Sequence, residues 1–469
     1  MTPLVRGALV AWVLLVAATW GHLLDDAFIH LRYAANLWTH GALEYTVGVP
    51  DRGASSPLWV ALLAPLEAVL AGGAAAKVLS VLATVAALAL TLRVGRAHPL
   101  AGAALLVGLC APSAVRWLPN GMETPLVVAV AVALGLAVPR VLAERTSLGV
   151  LVLLVIAVLL RIEFLAVAAA LAVVAALGRR PLRALEIVGA TALGLGILVG
   201  TLGAVLPDTA VAKSLGLLER DAMITTAVLI LKAHLAAPLL AGGVLLAWLI
   251  SARALLAGVR AVRISERRPR WLIAAAINGL VPALVLAAVV RGQVIHGLRY
   301  FVWLEVFVVV ANLSLARTWG VDSAPLPRIS RRAGLALAAL FVLEAALLWP
   351  VFAGRSATSR DLLAARWDVA GASCIAAEIG AFGYATGCAV LDPNGLVNGA
   401  ELARLDPVAR MERIGREDPR LLFLSPAQFD ALNAATADRF AAWQPSGVYR
   451  FPNIGGFADP HHVYRPPRR

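Results

Sequence analysis

The fold of this chain is decided near its N-terminus, where residues 4–32 read LVRGALVAWVLLVAATWGHLLDDAFIHLR. A largely apolar run from Leu4 to Leu24 ends at two adjacent carboxylates, Asp25 and Asp26. A run of this kind can cross the hydrocarbon core of a bilayer, which takes roughly 20 apolar residues. A cleaved signal peptide is the less favoured alternative, because no clear small-x-small cleavage site follows. The pattern therefore predicts a first membrane span with the acidic pair at its far end.

The composition of the whole chain extends this interpretation. Of its 469 residues, 60% are hydrophobic and only 15% are charged, and the mean hydropathy is +0.82. Soluble domains carry about 25% charged residues, so a soluble protein is excluded. The apolar runs predict a polytopic all-α membrane protein of about eleven spans at roughly 20 residues each. The run from Pro57 to Ala71 is short for a span and is expected to form an interfacial or re-entrant helix.

The basic residues predict how the chain is oriented in the bilayer. The net charge is +13, and arginines recur in short loops between the apolar runs. Basic loops stay on the cytoplasmic side, which places the N-terminus inside and the C-terminal part outside. Nucleic-acid binding is excluded because these residues do not line one soluble face. The abundance of arginine and alanine over lysine favours a bacterial plasma (inner) membrane protein.

The chain changes character at about residue 354, where apolar runs shorten and Pro, Gly, Asp and Arg become frequent. We expect a transmembrane domain over residues 1–353, with a first outer loop at about 25–76, and a small extracytoplasmic α/β domain over 354–469. The stretch from Cys374 to Gly399 predicts a strand, a glycine turn, a second strand and a turn, residues 400–414 predict a helix, and residues 420–425 predict a short buried strand. Export would allow a disulfide between Cys374 and Cys388, but spacing alone leaves this open.

The acidic pair is an unusual feature for the end of an outward-running helix. The C-terminal end of a helix carries negative partial charge and repels carboxylates. A solvated loop start is one explanation of Asp25 and Asp26. The residues that follow favour a functional one, because residues 23–59 read LLDDAFIHLRYAANLWTHGALEYTVGVPDRGASSPLW.

This stretch resembles the first outer loop of GT-C membrane glycosyltransferases, which take polyprenyl-phosphate sugars as donors. The resemblance rests on Asp25-Asp26, on Arg32 and Tyr33, and on Ser55-Ser56 before a short helix. The chain is similar in these motifs to actinobacterial arabinofuranosyltransferases and to related bacterial enzymes.

Four further motifs of the same superfamily occur in the same order along the chain. They are LPNGMETPL at 118–126 with Glu123, LLRIEF at 159–164 with Glu163, LPDTAVAKS at 206–214 with Lys213, and GLRYF at 297–301 with Arg299 and Tyr300. All of them fall on the outer side of the predicted topology. LLRIEF lacks the proline and glycine of the family's pattern, which puts the role of Arg161 in doubt more than that of Glu163.

The resemblance implies an inverting transfer of a sugar to an extracytoplasmic glycan, lipid or protein acceptor. It implies that Asp25 and Asp26 are catalytic, one as the base and one as a ligand of a divalent cation such as Mg²⁺ or Mn²⁺. The implied donor and acceptor residues are Arg32, Tyr33, Ser55, Ser56, Glu123, Glu163, Lys213, Arg299 and Tyr300. A base is needed because an acceptor hydroxyl has a pKa far above 7. The departing phosphate needs positive charge, from arginine, lysine or a metal.

Two other classes of protein stay open at this point. A transporter or flippase for a lipid-linked sugar would carry its essential charges near the membrane midplane and show two related halves. A non-catalytic scaffold would tolerate neutralisation of Asp25 and Asp26. Structural explanations also exist for single residues: Arg299 could snorkel to the interface, and Glu123 could simply begin a helix.

Overall fold

A computed structural model of the chain describes residues 2–70, 72–141, 147–204, 207, 228, 231–232, 234–261, 264–289, 298–321, 330–452 and 458–467. Most of this structure is helical. The helices that precede the first strand are α1 (Pro3–Ala18), α2 (Asp25–His40), α3 (Pro57–Glu67), α4 (Ala74–Ala97), α5 (Pro99–Leu109), α6 (Pro112–Trp117), α7 (Thr124–Val141), α8 (Leu148–Leu160), α9 (Phe164–Leu177), α10 (Pro181–Leu202), α11 (Pro238–Arg260), α12 (Ile264–Ala275), α13 (Val281–Val289), α14 (Leu298–Thr318) and α15 (Arg331–Ala364).

Six of the described helices are long and apolar enough to cross a membrane: α4, α7, α10, α11, α14 and α15. Shorter apolar helices lie at most of the other predicted spans. The chain is thus built as a multi-pass membrane protein, and the number of eleven spans stays a prediction. Helix α3 has 11 residues, or about 16 Å at 1.5 Å per residue. That is about half of the roughly 30 Å hydrocarbon core, in agreement with the expectation that this run does not span.

Prolines set several of the helix boundaries. Pro57, Pro99, Pro112, Pro181 and Pro238 each stand in the first turn of a helix, where the missing N–H costs no hydrogen bond. Between α12 and α13 the chain makes a π-helical turn over Ala276–Leu280. Pro282 follows this turn and cannot donate an α-helical hydrogen bond, which accounts for the wider turn. Residues 264–289 therefore form a continuous helical segment that is widened at one turn.

The sequence suggested that the acidic pair lies at the end of the first membrane helix, but it does not lie at the end of α1. Helix α1 ends at Ala18, and α2 begins at Asp25 after a non-helical segment. Asp25 and Asp26 therefore occupy the first turn of a new helix, where the positive end of the helix dipole favours carboxylates. The electrostatic objection to their position no longer applies.

The C-terminal part contains a five-stranded mixed sheet in the order β2-β1-β3-β5-β4. Strand β1 pairs in parallel with β2 and β3, and β5 pairs antiparallel with β3 and β4. The elements are β1 (Ser373–Ala376), α16 (Gly380–Thr386), β2 (Ala389–Leu391), α17 (Gly399–Arg404), α18 (Pro407–Gly415), β3 (Leu421–Leu424), α19 (Pro426–Ala435), β4 (Gln444–Pro452) and β5 (Ala458–Arg465). Helix α15 runs through residue 354, so the expected domain boundary falls inside a helix.

The predicted glycine turn after β1 is wrong, because residues 380–386 form helix α16. Its glycines allow neighbouring groups to approach closely rather than reverse the chain. A Cβ on Gly380 would lie 1.9 Å from the backbone oxygen of Asp25, and one on Gly383 would lie 1.8 Å from the hydroxyl of Tyr45. The sequence pattern therefore located a segment that requires glycine, but it predicted the wrong backbone conformation for that segment.

The first loop and the C-terminal part share one apolar core. Phe28 of α2 lies beside Tyr384 of α16, with ring centroids 5.7 Å apart. Trp59 of α3 and Phe382 of α16 are completely buried in the same cluster. A second, larger core fills the bundle of membrane helices. The loop over 25–76 therefore packs as part of the C-terminal unit.

Candidate active site

A buried lysine fixes the segments that carry the acidic side chains. Lys77 of α4 is 2% exposed. Its Nζ donates to three backbone carbonyls, those of Thr19, His22 and Pro119, at 3.2, 3.2 and 2.6 Å. Because these carbonyls belong to the segment before Asp25 and the segment before Glu123, one side chain sets the relative position of both acids.

Asp26 forms an ion pair with an arginine from a distant helix. Nη1 of Arg299, the second residue of α14, donates to Oδ2 of Asp26 at 2.8 Å. The Arg299 side chain is 4% exposed, whereas that of Asp26 is 37% exposed. The carboxylate is therefore still accessible at the protein surface, while the guanidinium is almost fully buried. Burial of this kind argues against simple snorkelling of Arg299 to the interface.

A second ionic group lies next to this pair. Arg161 donates through Nη1 to Glu123 at 3.0 Å and through Nη2 to Glu163 at 2.7 Å. His30, one turn after Asp26 on α2, brings Nδ1 to 3.8 Å from Oε2 of Glu123. Arg161 thus has a clear partner in each acid, although the sequence put its role in doubt.

The charges of this region act on one another. Burial alone would raise the pKa of Glu123, but the positive charges of Arg299 and Arg161 outweigh it and hold the pKa below its usual range. Burial lowers the pKa of His30, and the negative charge of Glu123 offsets only part of that effect. The site therefore combines an ionised Glu123 with a neutral His30 near pH 7. Asp26, Glu123, Glu163 and Arg299 all stand at or immediately before the first turn of a helix.

Asp25 faces the C-terminal part and not Arg299. Its Oδ2 and Oδ1 accept from the backbone N–H groups of Gly380 and Ala381, both at 2.8 Å. Burial raises the pKa of Asp25 to about 6, against the effect of the Ala381 amide. Glu378, just before α16, has its pKa raised to about 8 by burial and by the charge of Asp25. Arg355 of α15 acts on both acids in the opposite direction.

Arg32 lies in the contact between the first loop and the C-terminal part. Its Nε, Nη1 and Nη2 donate to the backbone carbonyls of Tyr45, Gly383 and Cys388 at 2.7, 2.7 and 2.6 Å. The guanidinium also stacks 4.2 Å from the centre of the Tyr45 ring. These bonds give Arg32 a structural role in joining the two segments.

The other predicted loop residues are spread over the same region. The hydroxyl of Tyr33 is hydrogen-bonded to Asp51 and is completely buried. Ser55 is exposed, and Ser56 is buried with a side-chain oxygen that makes no hydrogen bond. Both serines immediately precede α3. The structure does not bring Tyr33 together with Asp26 and Arg299.

Two predicted residues cannot be placed beside this group. Lys213 lies outside the described residues. Tyr300 belongs to α14, and its side chain is likewise outside the description. Both stay predictions.

Sequence reasoning missed Lys77, Arg355 and Glu378. The motifs directed attention to the outer loops, whereas Lys77 and Arg355 lie inside long apolar helices. A lysine or arginine in such a helix is costly and normally has a partner, which is a signal that the sequence contains. Glu378 follows a buried strand directly and offered only that placement as a clue.

The expected divalent cation has little to bind to among the described side chains. The two oxygens of Asp25 accept amides, and Asp26 is paired with Arg299. In the part of the chain that the structure describes, no three His, Cys, Asp or Glu side chains are grouped to hold a metal ion. A cation therefore stays a prediction.

Comparison with known proteins supports the fold. Among solved structures, the chain is similar to ArnT from Cupriavidus metallidurans, which was crystallised with undecaprenyl phosphate bound. The match covers 98% of this chain and 97% of ArnT, with 14% sequence identity and a TM-score of 0.51. No protein-family model matches the chain, and no curated protein matches it. At 14% identity the likeness establishes the fold and leaves the activity to be argued from the site. The chain thus has an ArnT-like fold, in agreement with the membrane fold expected from the scattered motifs.

Proposed function

We propose that this protein is a membrane glycosyltransferase that moves a sugar from a polyprenyl-phosphate donor to an extracytoplasmic acceptor. The ArnT-like fold supports a polyprenyl-phosphate partner, because the solved ArnT structure holds undecaprenyl phosphate. The predicted topology supports a site on the outer face of a bacterial plasma membrane. The sugar and the acceptor are left unspecified.

The single observation that carries the proposal is the pairing of Asp26 with Arg299. Transfer from a phosphate carrier needs a base for the acceptor hydroxyl and a cation for the leaving phosphate. Asp26 and Arg299 supply both groups 2.8 Å apart. Arginine suits a phosphate especially well because its planar fork can donate two hydrogen bonds to it.

The proposed reaction is a direct displacement with inversion. The acceptor oxygen attacks the anomeric carbon while its proton passes to Asp26. The bond from that carbon to the phosphate oxygen breaks, and the polyprenyl phosphate leaves beside Arg299. The Glu123–Arg161–Glu163 group holds the neighbouring helix ends in place and balances the buried positive charge of Arg299.

Asp25 and Arg32 have a positioning role in this proposal. Asp25 is bonded to two amides of α16, so it fixes the first turn of α2, in which Asp26 stands. Arg32 fixes the same helix about two turns after Asp25. Ser55, Ser56, Lys213 and Tyr300 remain candidates for contacts with the donor or acceptor.

The placement of the charges favours transfer over transport. In the described residues, the ionic groups around Asp26 stand at helix ends that the predicted topology places at the outer face. A transporter would be expected to place them near the midplane. Flipping of a lipid-linked sugar without transfer is therefore kept as an outcome of the test.

The test is transfer by the purified full-length protein, reconstituted with a panel of polyprenyl-phospho sugars and candidate acceptors. Asp26→Asn should abolish most transfer from any donor that the wild type uses. Asp418→Asn is the matched control, because Asp418 is an exposed acid paired with an arginine outside the site. Translocation of the labelled lipid without any product would favour a flippase, and full activity of Asp26→Asn would remove the proposed base.

A further inference from the structure

The first loop is joined to the C-terminal part through one short segment. Side chains of Asp25, Arg32 and Tyr45 all reach backbone groups within residues 379–388, here called the docking segment. Its acceptors and donors are Ile379, Gly380, Ala381, Gly383 and Cys388. The position of α2, and with it Asp26, therefore depends on the shape of this segment.

A pair of cysteines encloses the docking segment. Cys374 lies in β1, and Cys388 immediately precedes β2, which runs parallel to β1. Cys374 is paired in register with Val390, two residues beyond Cys388. Residues two apart on a strand point to the same face of the sheet. Both cysteines belong to the same buried core, Cys374 within β1 and Cys388 at the residue before β2.

The surroundings of the two thiols keep them together. Both cysteines are completely buried in the core shared with the first loop. The hydroxyl of Thr386 donates to Sγ of Cys388 at 3.2 Å, and the neighbouring thiol of Cys388 raises the pKa of Cys374. Cys110, the third cysteine of the chain, follows α5 in the separate core of the membrane helices. The choice of partner is therefore unambiguous.

We propose that Cys374 and Cys388 form a disulfide in the exported protein, which closes the docking segment covalently. The inference rests on the extracytoplasmic location in the proposed function, since disulfides persist in oxidising compartments. In the exchange, the two thiols lose two protons and two electrons. The disulfide of an extracytoplasmic thiol oxidase accepts them and becomes a dithiol.

Oxidation has to precede final packing, because neither sulfur can be reached in the folded protein. Once formed, the bond limits the unfolded conformations of the segment between the two cysteines. For a loop of this length, the opening equilibrium of the docking segment should shift by roughly a hundredfold. The disulfide thus keeps the amides of Gly380 and Ala381 in place for Asp25.

Counting free thiols tests the inference without any assay of transfer. Full-length protein is quenched in acid from fresh membranes, denatured, and reacted with a maleimide that adds a visible mass. One tag, on Cys110, is expected without reductant, and three tags are expected after reduction. A Cys110→Ala variant should then carry none and two. Three tags in the unreduced wild type, or a disulfide-linked dimer, would overturn the inference.

Hydrogen exchange then tests what the bond does. In the Cys374→Ala/Cys388→Ala variant, amides of the docking segment should exchange roughly a hundredfold faster than in the oxidised wild type. Cys110→Ala is the matched control and should leave these amides unchanged. Equal protection in the oxidised and the double-alanine proteins would remove the stapling role. Absence of transfer by every form, with one tag present, would refute the proposed function and leave the disulfide standing.

Discussion

Replacement of Asp25 and Asp26 by asparagine should separate two functions that adjacent residues carry. The resemblance in the sequence implies that both acids are catalytic. In the structure, Asp26 contacts Arg299, whereas Asp25 accepts two backbone amides of α16. We therefore expect Asp26→Asn to lose activity and Asp25→Asn to lose stability first.

The size of the Asp26→Asn effect follows from the loss of a base. Removal of a positioned general base costs about 10²- to 10⁴-fold in rate, or about 3 to 5 kcal/mol in the barrier. The asparagine oxygen can still accept a hydrogen bond from Arg299, so the fold should be little changed. Transfer should fall while the thermal midpoint stays within a few degrees of the wild type.

The Asp25→Asn effect is a loss of two charge-assisted hydrogen bonds. The asparagine oxygen can accept a hydrogen bond from only one of the two backbone N–H groups, that of Gly380 or that of Ala381. The asparagine NH₂ group then faces the second N–H group and cannot accept a bond from it. Hydrogen bonds to a charged group contribute about 1.5 to 3 kcal/mol each. We expect a stability loss of about 2 to 3 kcal/mol by this reasoning, with partial transfer at low temperature.

The same contact can be tested from the opposite side. Gly380→Ala would place a Cβ 1.9 Å from the backbone oxygen of Asp25, so it should mimic Asp25→Asn while the carboxylate remains. Gly334→Ala is the matched control, because a Cβ at Gly334 in α15 meets nothing within 4 Å.

Initial transfer rates and thermal midpoints in detergent are measured for all four variants. Added Mg²⁺ or Mn²⁺ forms a further arm, since a variant that lost a cation ligand should be partly rescued. Asp25→Asn that is inactive at an unchanged thermal midpoint would refute the positioning role and restore Asp25 to the chemistry.

Four other predictions concern single groups. Arg299→Ala should raise the KM for donor more than Arg299→Lys, because lysine keeps the charge and loses the fork; equal donor KM values in both variants and the wild type would return Arg299 to a structural role. Arg161→Ala should destabilise the protein by about 3 to 5 kcal/mol by leaving Glu123 buried without its partner, and addition of Glu123→Gln should recover part of the loss in a denaturation assay. Burial raises the pKa of Glu378 from 4.5 to about 8, so the folded protein holds the carboxyl proton more tightly than the unfolded chain does. The stability of the protein should therefore fall as the pH rises from about 4.5 to 8. The thermal midpoint of Glu378→Gln should fall less than that of the wild type over this range. Val69 is 80% exposed, so Val69→Cys should react with an impermeant thiol reagent added outside, in a background without native cysteines. Labelling only from the inside would contradict the predicted topology. Gly72 is a poorer position for the cysteine because its φ is +71°.

Local patterns predicted much of the architecture because hydropathy and helix-breaking residues determine secondary structure over short stretches of chain. The apolar runs located the membrane helices, and prolines such as Pro57 and Pro181 marked their first turns. The short strand over Leu421–Leu424 was predicted from a buried apolar run alone. The predicted helix over residues 400–414 is two helices, α17 and α18, because Asp406 caps a new helix at Pro407.

Parts of the site were also visible in the sequence, but their partners were not. The order of the motifs along the chain is enough to indicate Asp26, Glu123, Glu163 and Arg299 as candidate site residues. That Asp26 pairs with Arg299, 273 positions away, depends on how α2 and α14 meet. A sequence pattern that extends over a few residues contains no information on such a distance.

The sequence by itself indicated a multi-pass membrane protein, the position of most of its apolar helices, and the loops between them that hold its polar residues, since these properties follow from local hydrophobicity and charge. Only the tertiary structure decided that Asp25 and Asp26 serve different neighbours. Adjacent residues on a helix point about 100° apart, and packing alone sets where each of them faces. In this protein, packing directs the Asp25 carboxylate to the amides of α16 and the Asp26 carboxylate to the guanidinium of Arg299.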